Sequence, residues 1–204
     1  MFDKLYKVLV PRIIKRSRSY IVFSAVLFVL AGIVGWMIVS DGQMPIMLQQ
    51  VMENFAGMAE GASSPFGLSL SIFMNNVRTV FFAVAFGWLL GLVPLVSIWS
   101  NGQIIGMVAK YMEVNAGVPL FKTVLSLFPH GLLELPAFII SAAVALRTGW
   151  ILLMCIFKKR EWKAFLTSFL ESVMIMVLVV VPLFLVAAFI EGFISPAVLN
   201  WLIR

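Results

Sequence analysis

Charge is what this sequence has least of. Only 12% of its 204 residues are Asp, Glu, Lys or Arg, while 62% are apolar. An ordinary soluble domain carries about a quarter charged residues, so a solvated surface cannot be built from this composition. Cysteine occurs once, at Cys155, which excludes an intrachain disulfide. Histidine also occurs once, at His130, which excludes the His-Glu-x-x-His metal pattern and leaves a poor ligand set for any metal. A phosphate-binding loop with its Lys-Ser/Thr ending is missing, and Ser126 has no nucleophile elbow around it. These absences point away from an enzyme, from a metal site and from a cofactor.

What is abundant is long apolar sequence. The mean hydropathy is +1.07, and spans of ~20 residues consume most of the chain. We expect an all-α polytopic membrane bundle with five transmembrane spans, at 20–40, 71–98, 101–118, 131–157 and 164–190. The third is short and carries Lys110 and Glu113, whose charges suit an interface. Residues 119–128 read as a short amphipathic helix leading to a break at Pro129, so the region 101–136 is expected to be broken or short. Pro182 marks a kink in the last span. Residues 1–204 form a single integral membrane domain.

The net charge of +6 is unevenly placed. Lys4, Lys7, Arg12, Lys15, Arg16 and Arg18 precede the first span, and Lys158, Lys159, Arg160 and Lys163 lie in the loop KKREWK. This is the positive-inside pattern and not a nucleic-acid surface. It predicts a multi-pass protein of the cell membrane with a cytoplasmic amino terminus, residues 1–19 forming a basic flank, and an external carboxyl terminus. The flank is amphipathic enough to lie on the membrane surface, divided at Pro11, or else is solvated and only sets orientation. Residues 41–69, rich in Gly and Ser and free of Lys and Arg, form an external loop with a short amphipathic helix over 44–58. The tail over 195–204 is apolar enough to rest on the membrane.

Several pieces stand in a fixed order: FMNNVR at 73–78, FGWLLG at 86–91, NGQIIG at 101–106 and FPHGLLELPA at 128–137. Together they resemble the stage II sporulation protein M family of integral membrane proteins over residues 70–150. The resemblance implies a membrane scaffold that recruits envelope partners, as the sporulation member does with cell-wall hydrolases. Many relatives occur in organisms that never sporulate, so sporulation itself is not implied.

Two sets of residues stand out as candidates. Gly87 with Gly91, and Gly102 with Gly106, have the small-xxx-small spacing that lets helix backbones approach closely. Asn75, Asn76, Arg78, Asn101, His130 and Glu134 are polar groups within apolar sequence, and His130 and Glu134, four apart, share a helix face. Ionisable groups in lipid are costly, which makes them candidates for function. The expected cluster joins Arg78, His130 and Glu134, either locking helices together or lining a cavity.

Two functions are therefore expected. One is a non-enzymatic membrane protein organising partner proteins in the cell envelope. The alternative is a transporter or channel-like protein using the polar cluster for a proton, ion or polar headgroup. The implied partners are the lipid bilayer, membrane or envelope proteins and a second copy of the chain, with no nucleic acid.

Overall fold

Helix ends in this chain are set by a few local devices, and between them the apolar sequence has no other way to satisfy its backbone in lipid. The computed structural model describes residues 5–39, 44–62 and 64–193, and every regular element among them is helical. A π turn, Leu5–Leu9, leads into α1, Val10–Ile38; the helices that follow are α2, Ile46–Glu60, α3, Pro65–Ala85, and α4, Leu92–Ala116. The longest, α5, covers Leu120–Ile156, and α6, Trp162–Ile175, continues through a π segment, Met176–Val180, into α7, Val181–Phe193. Five helical stretches are long and apolar enough to cross a membrane, with α6, the π segment and α7 together making the fifth.

Helix α3 starts where Ser64 accepts a hydrogen bond from the Gly67 N–H at 3.1 Å, with Pro65 in the first turn. Helix α4 ends at Gly117, which takes the left-handed conformation (φ 62°) while the Val118 N–H donates to the Met112 carbonyl at 3.1 Å. Pro119 then opens α5.

Side-chain contacts fix the directions of the spans. Ser17 meets Arg147 and Phe28 meets Phe138, so α1 and α5 run antiparallel. Thr148 meets Ser168 while Val144 meets Ser172, so α5 and α6 are also antiparallel. Asn76 meets Glu134, and a side chain on Gly87 would press on Ala145, so α3 descends alongside α5. Helix α5 is the centre of the bundle: every residue from 141 to 149 is buried. Around it the core gathers Ile13, Phe28, Val80, Ile98, Val144, Ile175 and Phe184.

The most extensive helix pair is α1 with α4, and it is parallel. A Cβ on Gly102 would overlap the Phe28 carbonyl, one on Gly106 the Gly32 carbonyl, and one on Gly35 the Gln103 carbonyl. Backbone therefore lies on backbone, the contact that small residues permit in membranes. At the end of this seam the Lys110 ammonium sits 4.3 Å from the centre of the Trp36 ring and 2.9 Å from the Glu113 carboxylate.

Several boundaries differ from the sequence expectation. The second span stops at Ala85; FGWLLG is a turn over 86–91, with Leu90 (φ 52°) and Gly91 (φ 77°) both left-handed. Hydropathy is blind to this turn because all its residues are apolar or Gly. The third span consequently begins at Leu92 and has 25 residues, about 38 Å at 1.5 Å each, enough to cross. The break in the region 101–136 falls at 117–119, and α5 runs on through Pro129 and Pro136. Pro11 does not divide the first helix, since it lies in the first turn, where the missing N–H is not needed. The basic flank is no separate surface element either: Val10, Ile13 and Ser17 are buried in the bundle. Helix α2 bears out the helix expected in the loop, and Val39, Leu48 and Met107 anchor it to the ends of α1 and α4. Lys4, Asp41 and the tail over 195–204 lie outside the described residues.

Pro182 acts through the π segment before it. In a regular helix the Leu178 carbonyl would accept from residue 182, which has no N–H. The Tyr6 hydroxyl donates to that carbonyl at 3.0 Å. The amino-terminal π turn is thus tied to the one in the last span.

Candidate functional site

The most buried ionic group of the described bundle is on α5, where Arg147 is 5% exposed. Its position follows from the helix pattern: residues 141–149 are all enclosed, so a basic residue there must find partners inside. The Arg147 Nη2 pairs with Glu171 Oε2 from α6. Its Nη1 donates to Ser17 Oγ of α1 at 2.9 Å, and its Nε donates to Ser168 Oγ of α6 at 3.4 Å. Glu171, 8% exposed, receives a second cation through its other oxygen, with Arg16 Nη1 at 3.1 Å. A carboxylate thus sits between two guanidinium groups, and hydroxyls from two helices complete the shell. Such satisfaction is what lets a charge pair persist in a low-dielectric interior.

Next to it, hydroxyls knit α5 to α6. Thr148 Oγ1 lies 2.9 Å from both Ser168 Oγ and Ser172 Oγ, and donates to the Val144 carbonyl at 3.0 Å. Ser172 Oγ lies 3.0 Å from the carbonyls of Val144 and Ser168.

The cluster forms the floor of a cavity of about 760 Å³, a size usual for small-molecule sites. Arg16, Arg147, Arg160 and Lys163 line it together with Glu161 and Glu171. Four basic side chains thus face two acidic ones, leaving an excess of positive charge. Tyr20, Trp150 and Ile151 give it an apolar wall. A guanidinium has five N–H donors. The three bonds of Arg147 engage three of them, leaving two for a guest. The arrangement can bind and orient an anion. Among the described residues no three His, Cys, Asp or Glu side chains gather to hold a metal.

The residues singled out in the sequence lie elsewhere. Asn76 Nδ2 donates to Glu134 Oε1 at 2.5 Å, joining α3 to α5. Arg78, two residues on and so about 200° round the helix, is exposed, with its guanidinium 5.9 Å from the Phe82 ring centre. Asn75 is exposed as well. Asn101 turns back on its own helix, donating to the Ser97 carbonyl at 2.9 Å. The side chain of His130 lies outside the described residues. Gly102 and Gly106 line the α1–α4 seam, whereas Gly87 and Gly91 pack the 86–91 turn against Ala145, Leu146 and Gly149 of α5.

Sequence reasoning passed over Arg147, Glu171 and their hydroxyl partners. A signal existed: Arg147 and Glu134 are the only charges in residues 131–157, so the rule that selects one selects the other.

No solved structure matches the chain. An uncharacterized protein of Methanocaldococcus jannaschii is 26% identical over 133 residues, covering 65% of this chain and 74% of that protein. The family model described as stage II sporulation protein M matches residues 24–196, including α2 to α7 and the second half of α1. With five helices able to span a bilayer and a match over most of its length, the chain belongs to the stage II sporulation protein M family of membrane proteins.

Proposed function

We propose that this protein is a non-enzymatic membrane component that binds a phosphate-class anion in the cavity between α1, α5 and α6, taking it from the cytoplasmic side. The observation that carries this reading is Arg147: a guanidinium enclosed in the bundle, with donors to spare, beneath a rim of three more cations. Arginine suits this task because its planar fork matches phosphate oxygens. The orientation is supported by the meeting of the two basic flanks at one end, where Arg16 of the first and Arg160 and Lys163 of the second share the cavity. The role corresponds to the transporter-like reading of an intramembrane polar cluster, centred on Arg147 in place of Glu134. The anion has two sources, a lipid headgroup entering along the wall of Tyr20 and Trp150, or free phosphate from solution.

Thermal unfolding in nanodiscs tests this directly. Discs of phosphatidylcholine alone are compared with discs containing phosphatidylglycerol, and each is titrated with inorganic phosphate. Saturation near 100 Kd should stabilise the protein by about 2.7 kcal/mol, and Arg147→Met with Glu171→Gln should abolish the shift. A response to phosphatidylglycerol identifies a lipid ligand, and a response to phosphate identifies a soluble one. Absence of both, or an equal shift in the double variant, refutes the site.

Helix α2 favours a second reading, the organisation of envelope partners. It lies at the opposite end of the bundle, is only lightly packed, and exposes Ile46 and Met52. Those residues would contact an external protein or a second copy of the chain.

A further inference from the structure

Buried hydroxyls in membrane helices ordinarily donate to the carbonyl four residues back, as Ser69, Thr148 and Ser172 do here. Ser24 of α1 and Ser141 of α5 depart from this. Both are 0% exposed, and neither hydroxyl has a hydrogen-bond partner among the described residues. The α1–α5 register places them at one level. Between the Ser17–Arg147 bond and the Phe28–Phe138 contact, Ser24 is seven residues from Ser17 and Ser141 is six from Arg147. Two unmatched hydroxyls at the same depth of two packed helices call for a polar guest, since each would otherwise carry an uncompensated desolvation cost. The guest must be small and able both to donate and to accept, which is the description of water.

The surroundings give this site a direction. Glu134, Ser141 and Thr148 are spaced seven apart and so lie on one face of α5. From Thr148, whose hydroxyl meets the Ser168 that Arg147 also bonds, to Glu134 that face spans about 21 Å at 1.5 Å per residue, most of the ~30 Å hydrocarbon thickness. Its lower end is the Arg147–Glu171 cluster and its upper end the Asn76–Glu134 pair. Ser24 and Ser141 lie between them.

We infer that Ser24 and Ser141 form an internal water site in the α1–α5 seam, joining the Arg147 cluster to the Asn76–Glu134 pair as one polar route along α5. The route extends inward from the anion cavity but does not rest on the identity of the anion.

Substituted-cysteine accessibility tests it. In a Cys155→Ser background, which keeps a donor for the Glu161 carbonyl, Ser24→Cys and Ser141→Cys should react with a small methanethiosulfonate reagent in membrane vesicles. Ala143→Cys, at an equally buried position of α5, should stay unmodified. Ser24→Ala and Ser141→Ala supply a second measurement that needs no reagent. Removing a water-bonded hydroxyl should lower Tm by about 2–4 °C, whereas removing a dry, unsatisfied one should raise it. Unreactive cysteines at both seam positions, or alanine variants with equal or higher Tm, overturn the site. Loss of anion binding with reactive cysteines retained would count against the cavity alone.

Discussion

Arg147 and Glu171 are held by each other and by groups from two helices, α1 and α6, so the loss of one does not simply delete a contact. Arg147→Met should leave Glu171 with the exposed Arg16 as its partner and cost about 3–5 kcal/mol. Adding Glu171→Gln should recover most of that, because a neutral amide needs no counter-charge. Thermal unfolding in detergent micelles distinguishes these cases, and a double variant as unstable as the single one would contradict the pairing. Little of this was legible in the sequence. The cost of charge in lipid identifies Arg147 as readily as Glu134, but its partners Ser17 and Ser168 are ordinary residues in apolar helices. Ser17 is 130 positions from Arg147, and only the packing of α1 on α5 names it. The Asn76–Glu134 bond shows the complementary case: the residue types were foreseeable, but which of Asn75, Asn76 and Arg78 faces α5 is decided by helix phase.

The helices themselves were legible where apolar runs end at polar or Pro-Gly punctuation, and illegible where a turn is as apolar as its flanks. The 86–91 turn belongs to the second kind, and its evidence in the sequence was the same Gly87 and Gly91 that also suited a helix interface. Glycine is required along α1 and α4 for a different reason, the absence of room. Gly106→Val, directed at the Gly32 carbonyl, should separate the two helices and cost about 3 kcal/mol or more. Gly57→Ala on α2, where a Cβ meets nothing within 4 Å, should instead stabilise by about 0.4–1 kcal/mol. Similar effects at the two positions, measured by thermal unfolding, would show that helix propensity and not backbone contact governs Gly106. The π segment offers a finer test. Tyr6→Phe should cost about 0.5–1.5 kcal/mol by leaving the Leu178 carbonyl short of a donor. In a Pro182→Ala background, which restores an N–H, the same substitution should cost less; equal costs would uncouple Tyr6 from the proline.

Across the whole molecule, the five spans alternate in direction and both basic flanks fall at one end, so a single labelling experiment can fix the orientation. In a Cys155→Ser background, Glu53→Cys on α2 should react with an impermeant maleimide in intact cells, whereas Lys159→Cys should react only after permeabilisation. The reverse pattern would invert the protein and place the anion cavity outside. The order of the helices has a further consequence, which concerns synthesis. Helix α1 is synthesised before α4, yet among the described residues the glycine face it presents is matched by α4, made after α2 and α3 are complete. During that interval α1 must wait in the bilayer with its backbone carbonyls open to any small-residue helix nearby. A nascent chain stalled before α4 should therefore be the form most prone to capture by foreign helices, and a factor that shields early spans should bind it longest.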